Sequence, residues 1–325
     1  MDQLRAMRVF VAVTDAGSFV GASQSLAMSP AAVTRLVADL EDQLGARLLH
    51  RTTRRIALTD IGEAYLERAR RILLDIEEAS ALASESARQP RGTLRVLLPP
   101  AFAVHQIAKR LPVFNARYPE LTLELTAPGP VENVDESFDV TILATRRQLD
   151  GEFVARLLAH SEVILCATPE YLDRVGRPRH PREFGKLDGI VPPLPELQRG
   201  LRLQRVDADQ NEIEHFDSPP RRSVLSSSLI DINYACALAG LGVAGLPSFV
   251  AEDALLEGAL ERVMPAWRLF SMPLYAAMPS RRHIPARTRV FVDFLIEAFG
   301  GRAADPWLSA AGCPTPAQPA ALSAG

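Results

Sequence analysis

Residues 17–66 read GSFVGASQSLAMSPAAVTRLVADLEDQLGARLLHRTTRRIALTDIGEAYL, and three local patterns follow one another along them. Ser18 is placed to cap a short helix over Phe19–Leu26 through its hydroxyl. Ser29 is placed to cap the next helix, with Pro30 at the first helical position, where a missing N–H costs nothing. In that second helix Val33, Leu36, Val37, Leu40 and Leu44 recur at helical spacing and predict a face turned to a small core. The opposite face carries Ala31, Ala32, Thr34, Arg35 and Ala38. Small residues there let a backbone approach base edges. Thr34 suits a thymine methyl or a phosphate, and Arg35 a guanine or a phosphate.

The third pattern is basic. No Asp or Glu lies between Asp42 and Asp60, a span that holds Arg47, His50, Arg51, Arg54 and Arg55. Two short runs, Leu48–His50 and Ile56–Leu58, read as the strands of a hairpin that lays guanidinium groups along phosphates. Taken singly, a helix pair is an ordinary helical hairpin and an arginine-rich turn is a solvated one. Helix, capped helix and basic hairpin in this order point to duplex DNA. The formal net charge is only −3, so affinity for DNA has to come from this local placement rather than from bulk basicity.

Residues Leu4 to Glu63 resemble the winged helix-turn-helix of LysR-type transcriptional regulators, and the likeness continues to about residue 299. Ser29-Pro30-Ala31-Ala32-Val33-Thr34 matches the family's pattern at the recognition helix. Leu48-Leu49-His50-Arg51 stands where the family has Leu-Phe-x-Arg, so Leu49 replaces the aromatic wing anchor with another apolar one. The resemblance implies that Ser29, Pro30, Ala31, Thr34, Arg35, Arg51, Arg54 and Arg55 meet DNA.

After the wing, Thr59 or Asp60 is placed to cap a long helix running to about Ser86. Tyr65, Ala69, Ile72, Ile76, Ala79 and Ala83 alternate steps of four and three, a coiled-coil seam, so pairing with a second copy is expected. At about 1.5 Å per residue the helix would span roughly 40 Å. Gln89-Pro90-Arg91-Gly92 reads as a hinge. Beyond it strands alternate with helices: Leu94–Leu98, Leu121–Thr126, Val140–Leu143, Glu162–Ala167, Val243–Leu246 and Met272–Met278 as strands, with helices over Val104–Tyr118, Leu229–Ala239, Phe249–Leu256 and Thr288–Phe299. Such alternation predicts parallel sheets covered by helices.

The whole fold expected is therefore α followed by α/β. A winged helix-turn-helix spans residues 1–59, a linker or dimerisation helix 60–88, and a two-lobed effector-binding domain 91–300. By the resemblance the last is similar to periplasmic binding proteins, with one lobe from 91–163 and 268–300 and the other from 164–267. The Ala/Pro/Ser-rich stretch 303–325 is expected to be disordered.

Gly240-Leu241-Gly242-Val243-Ala244-Gly245 has the letters of a dinucleotide fingerprint, but a helix precedes it and a strand follows, the reverse of what that motif needs. Gly240 is better read as ending a helix in left-handed geometry. Ser226-Ser227-Ser228 precede a helix and combine hydroxyls with free first-turn N–H groups, either an anion site or simple capping. In the family this position lines the cleft for a small effector. Two other family contacts depart here: Pro99-Pro100-Ala101-Phe102 replaces a Ser or Thr after the first strand, and Leu143-Ala144 replaces an Arg near the fourth. Either the effector is more apolar or bulkier than usual, or polar recognition comes from Arg146 or Arg147. The candidate effector residues are Ala101, Phe102, Arg146, Ser226, Ser227 and Ser228.

Histidines 50, 105, 160, 180, 215 and 283 show no paired ligand spacing, and Cys166, Cys236 and Cys313 are widely separated. No metal site, cofactor or disulfide framework is expected, nor a Gly-x-Ser-x-Gly nucleophile elbow. No apolar run reaches membrane-spanning length, and no secretory signal opens the chain, so a cytoplasmic location is expected. The leading expectation is a non-enzymatic regulator with duplex DNA, a small effector, further copies of itself in a homodimer or homotetramer, and RNA polymerase as partners. The competing one is a cytoplasmic solute-binding or enzymatic α/β protein with a helical appendage.

Overall fold

The computed structural model describes residues 2–51, 56–82, 90–147, 151–193, 200–206, 212–279 and 284–313. The chain divides into two compact units, Met1–Gln89 and Pro90–Gly325.

In the first unit α1 (Gln3–Asp15), α2 (Phe19–Ser25) and α3 (Pro30–Leu44) precede the antiparallel strands β1 (Leu49–Arg51) and β2 (Ile56–Leu58). Ser18 and Ser29 cap α2 and α3 as their positions predict, accepting the N–H groups of Gly21 at 3.0 Å and Ala32 at 3.3 Å. Val33, Val37 and Leu40 are buried against Ala6, Val9, Phe10 and Val13 of α1, a helix the sequence reading did not single out. α4 (Asp60–Leu82) follows. Its Tyr65, Ala69 and Leu73 pack on Met7 and Val11, and Arg70 forms an ion pair with Asp15. The expected seam is therefore not one free face. Tyr65 and Ala69 serve the core of their own unit, because Met7 and Val11 of α1 lie against them, whereas Ile61 and Ile72 stay exposed.

The second unit is built on a mixed sheet ordered β10-β7-β11-β6-β13-β5-β3-β4, with β12 beside β6. Its strands are β3 (Gly92–Leu97), β4 (Leu121–Thr126), β5 (Val140–Ala144), β6 (Phe153–Ala167), β7 (Asp188–Ile190), β10 (Arg222–Leu225), β11 (Val243–Pro247), β12 (Glu261–Val263) and β13 (Phe270–Pro279). β8 (Leu201–Val206) and β9 (Glu212–Ser218) form a separate hairpin. Parallel pairing holds for β3 with β4 and β5, and for β7 with β10 and β11. It fails at the centre, where β13 runs antiparallel to β6 from Phe270↔Val163 to Pro279↔Phe153. The sequence order of the strands does not reveal this, because β13 returns to β6 after more than a hundred residues.

On β6, Val163, Leu165 and Ala167 enter one core while Ile164 and Cys166 enter another, the strict alternation of a strand buried on both faces. Burial pushes the Cys166 thiol up to about 12, so it stays protonated at neutral pH. The helices are α5 (Pro100–Phe102), continued through a π turn (Ala103–Ile107) into α6 (Ala108–Arg117), then α7 (Pro169–Val175), α8 (Ile230–Leu238), α9 (Ser248–Leu256), α10 (Ala286–Phe299) and α11 (Pro306–Ala310).

The last helix corrects the expected disorder from residue 303 onward. Asp305 caps α11, Trp307 and Leu308 are buried, and Trp307 meets Phe102 and Phe249 edge-on and Phe299 at a tilt. Burying one large indole outweighs the poor local propensity of an Ala/Pro/Ser-rich stretch. Residues 314–325 lie outside the described residues. Among the described residues no helix is long and apolar enough to cross a membrane.

Candidate nucleic-acid interface and ligand site

The solvent face of α3 assembles as its spacing implies. Ser29, Pro30, Ala31, Thr34 and Arg35 are all exposed, while the opposite stripe is buried. The Thr34 hydroxyl donates to the Pro30 carbonyl at 2.9 Å, so it is engaged within its own helix. The Arg35 side chain is 83% exposed, and among the described residues its ion-pair contact is Asp39 at 3.9 Å. A guanidinium so loosely held gives up little ion pairing when it meets a base or phosphate.

Glu41 is the residue the sequence reading passed over. It sits on the buried side of α3, 2% exposed, and its Oε1 accepts the N–H groups of Leu48 at 2.8 Å and Leu49 at 3.1 Å. Oε2 accepts from Arg47 at 2.8 Å. Burial alone would raise its pKa, but those two N–H groups and Arg47 together hold it below the ordinary carboxylate value. The carboxylate thus fixes the start of the wing to the end of α3. Arg47 is accordingly a partner of Glu41 rather than a free phosphate ligand. Of the wing arginines, Arg54 and Arg55 lie outside the described residues, and of Arg51 only the backbone, on β1, is described.

In the second unit a cavity of about 650 Å³ is lined by Pro99, Pro100, Ala101, Ala144, Thr145, Arg146, Arg147, Ser228, Asp231 and Phe270, among others. A larger one of about 1030 Å³ is walled by the β8–β9 hairpin and shares Arg146, Ser228, Ile230, Phe270 and Met272 with the first. Both are of small-molecule size. Ala101, Arg146 and Ser228 therefore come together, from α5, the end of β5 and the approach to α8. Phe102 does not. It is fully buried in the aromatic cluster with Phe249, Phe299 and Trp307, on the face of the helix turned to the core.

The serine run also divides. Ser226 and Ser227 line neither of these cavities. Ser227 Oγ accepts the N–H of Leu229 at 3.2 Å, which makes a turn rather than a cap, and α8 begins with no side-chain cap at all. Asp231 occupies the first turn of α8 and meets His105 Nε2 at 3.0 Å, so a negative charge already lies where an anion was expected. Arg147 pairs with Glu132 at 3.2 Å, and Arg146 lies over the Phe270 ring at 5.1 Å. Gly240 follows α8 at φ +71°, as a helix-ending glycine should. Among the described residues no three His, Cys, Asp or Glu side chains gather to hold an ion.

Comparison with known proteins covers both units. Residues 4–63 match the model described as a bacterial regulatory helix-turn-helix protein of the lysR family, and residues 87–300 match the LysR substrate binding domain. An HTH-type transcriptional repressor of Pseudomonas aeruginosa is 32% identical over 308 residues, spanning 92% of this chain and 93% of its own. The structure of CrgA, a LysR-type transcriptional regulator from Neisseria meningitidis, is 31% identical with a TM-score of 0.55, over 91% of this chain and 98% of that one. The full-length structure of AphB, a Vibrio cholerae virulence activator, shares the fold at 24% identity and a TM-score of 0.54, over 91% and 99%.

Proposed function

The chain belongs to the LysR family of transcriptional regulators, and from that premise we infer that α3 reads a promoter operator while a small molecule between the lobes of the second unit sets the outcome. This is a regulator, not the solute-binding or enzymatic protein that the sequence alone left as a competitor. Ser29, Pro30, Ala31, Thr34 and Arg35 supply the reading face. Arg51, Arg54 and Arg55 supply phosphate contacts from the wing, as their sequence positions suggest. The observation that carries the reading is the loosely held Arg35 on an exposed face of small residues, beside a wing that Glu41 anchors.

Ala101, Arg146 and Ser228 line the effector site, whose ligand works by favouring one arrangement of the protein on DNA over another. On this reading the protein performs no chemistry on its ligand. It acts in the cytoplasm, contacts RNA polymerase, and pairs with a second copy through α4, where Ile61 and Ile72 remain exposed. The test is footprinting and gel shift on the DNA upstream of its own gene over a salt series. Replacing Arg54 with Ala should lower affinity for all sequences and reduce the salt slope by about one contact. An unchanged slope would remove Arg54 from the interface. No binding to any promoter fragment at low ionic strength would defeat the reading as a whole.

A further inference from the structure

We propose that α11, with the run 301–305 before it, is a brace that ties together the two lobes of the second unit and limits how they move against each other; its regulatory consequence rests on reading that unit as effector-controlled. The segment lies past residue 300, where the match to the LysR substrate binding domain ends. It is nevertheless built into the interior. Trp307 and Leu308 are neighbours in the chain and enter different cores. Trp307 joins Phe102, Phe291 and Phe299 in the core of one lobe. Leu308 joins Ile164, Ala237 and Ala244 in the core of the other.

The brace is fastened where one strand passes between the lobes. β6 gives Leu158 and Ala159 to the first core and Ile164 and Cys166 to the second, so residues 160–162 span the passage. β13 occupies one edge of β6 there, and on the other β11 pairs only over Val163–Cys166. The C-terminal run closes the rest of that edge. Gly301 N–H donates to the Leu158 carbonyl at 2.9 Å, His160 N–H to the Ala304 carbonyl at 2.9 Å, and Glu162 N–H to Asp305 Oδ2 at 2.8 Å. Buried main-chain groups without partners are costly, which holds the run in place. α9 also reaches across, with Phe249 and Val250 in the first core and Ala251 and Ala254 in the second. Trp307 backs it, meeting the Phe249 ring at 5.7 Å, while Ser248 at its start bonds Ser161 of β6 at 2.8 Å. Phe249 lines the smaller cavity, so in a close-packed interior a movement of the lobes about an occupant has to carry Trp307 along.

The test follows the unfolding of each lobe separately in the full chain, by pulsed hydrogen exchange and mass spectrometry across a urea series. β3 reports one lobe and β11 the other. In the wild type both should unfold at one midpoint. Leu308→Ala touches one core only, yet both midpoints should fall together, by about 1 M. A chain ending at Arg302 should part the two midpoints by about 0.5 M or more. If that chain does not fold, the double variant Trp307→Ala/Leu308→Ala, which leaves the run 301–305 on β6, takes its place and should part them likewise.

Midpoints already apart in the wild type, a fall confined to β11 in Leu308→Ala, or midpoints that stay together once the brace is cut would overturn the proposal. The last result would assign the coupling to α9 alone. Affinity for the DNA upstream of its own gene, measured by gel shift, is a separate readout. Cutting the brace should change it by about fivefold or more. Parted midpoints with unchanged affinity keep the brace and defeat control of DNA binding through it. A wild type that binds no promoter fragment defeats the proposed function and leaves the midpoints to decide the brace.

Discussion

Glu41 Oε1 accepts the backbone N–H of Leu48 at 2.8 Å, so a buried carboxylate on α3 holds the first strand of the wing. Glu41→Ala strands the N–H groups of Leu48 and Leu49 and should destabilise the first unit by about 3 kcal/mol. Its pKa is lowered in the folded state, so its contribution is present above the unfolded carboxylate value and is lost as pH falls through the lower folded one. Acid titration of the wild type and of Glu41→Gln, followed by circular dichroism, should show that step only in the wild type.

Gly62, in the first turn of α4, lies against the carbonyl of Leu48, and a Cβ there would overlap that oxygen. The Thr59 hydroxyl donates to the Arg47 carbonyl at 2.7 Å and accepts from Gly62 N–H at 2.9 Å, so neither chain is free to yield. Gly62→Ala should cost about 2 kcal/mol or more, although alanine is the better helix former. A melting temperature equal to or above wild type would show that the contact relaxes without penalty.

Arg35→Ala separates binding from stability. The side chain is 83% exposed, so folding stability should stay within about 0.5 kcal/mol of wild type. Operator affinity should fall by about 1–3 kcal/mol, with discrimination relaxed at one base position. Equal weakening on operator and random DNA would make Arg35 a phosphate contact instead.

Asp305 gives the second unit a pH dependence of opposite sign. Burial pushes its carboxyl up to about 6 from an ordinary 3.8, against the N–H groups of Glu162 and Leu308 that favour its charge. A raised folded pKa means that the folded state holds the proton more tightly. That stabilisation is present below the ordinary value and disappears as pH rises through about 6. Urea unfolding of this unit between these limits should show stability falling with pH. Asp305→Ala should flatten that slope and cost about 2 kcal/mol through loss of the α11 cap.

Much of the first unit was legible because its determinants are local. Ser18, Ser29 and Pro30 act on N–H groups within a few residues, and the Val33, Val37 and Leu40 stripe needs only helical spacing to declare a core face. Glu41 was not legible, since a charged residue on a buried stripe announces nothing until the N–H groups it serves are in place. In the second unit Ala101, Arg146 and Ser228 line one cavity. Phe102 was misplaced because an apolar residue beside a cleft and one in the core look alike in sequence.

The order of residues determined the helix caps, the exposed face of α3, the positions of most strands and the family to which the chain belongs. Tertiary structure alone decided that β13 returns antiparallel to β6, that Trp307 closes an aromatic cluster, and that the buried Asn233 carbonyl oxygen has no hydrogen-bond partner among the described residues. The division has a physical cause. Hydrogen bonds and packing within about one helical turn follow from neighbours along the chain. Strand pairing, burial of charge and the satisfaction of a buried acceptor depend on groups brought from far along the chain, whose arrival no local pattern records.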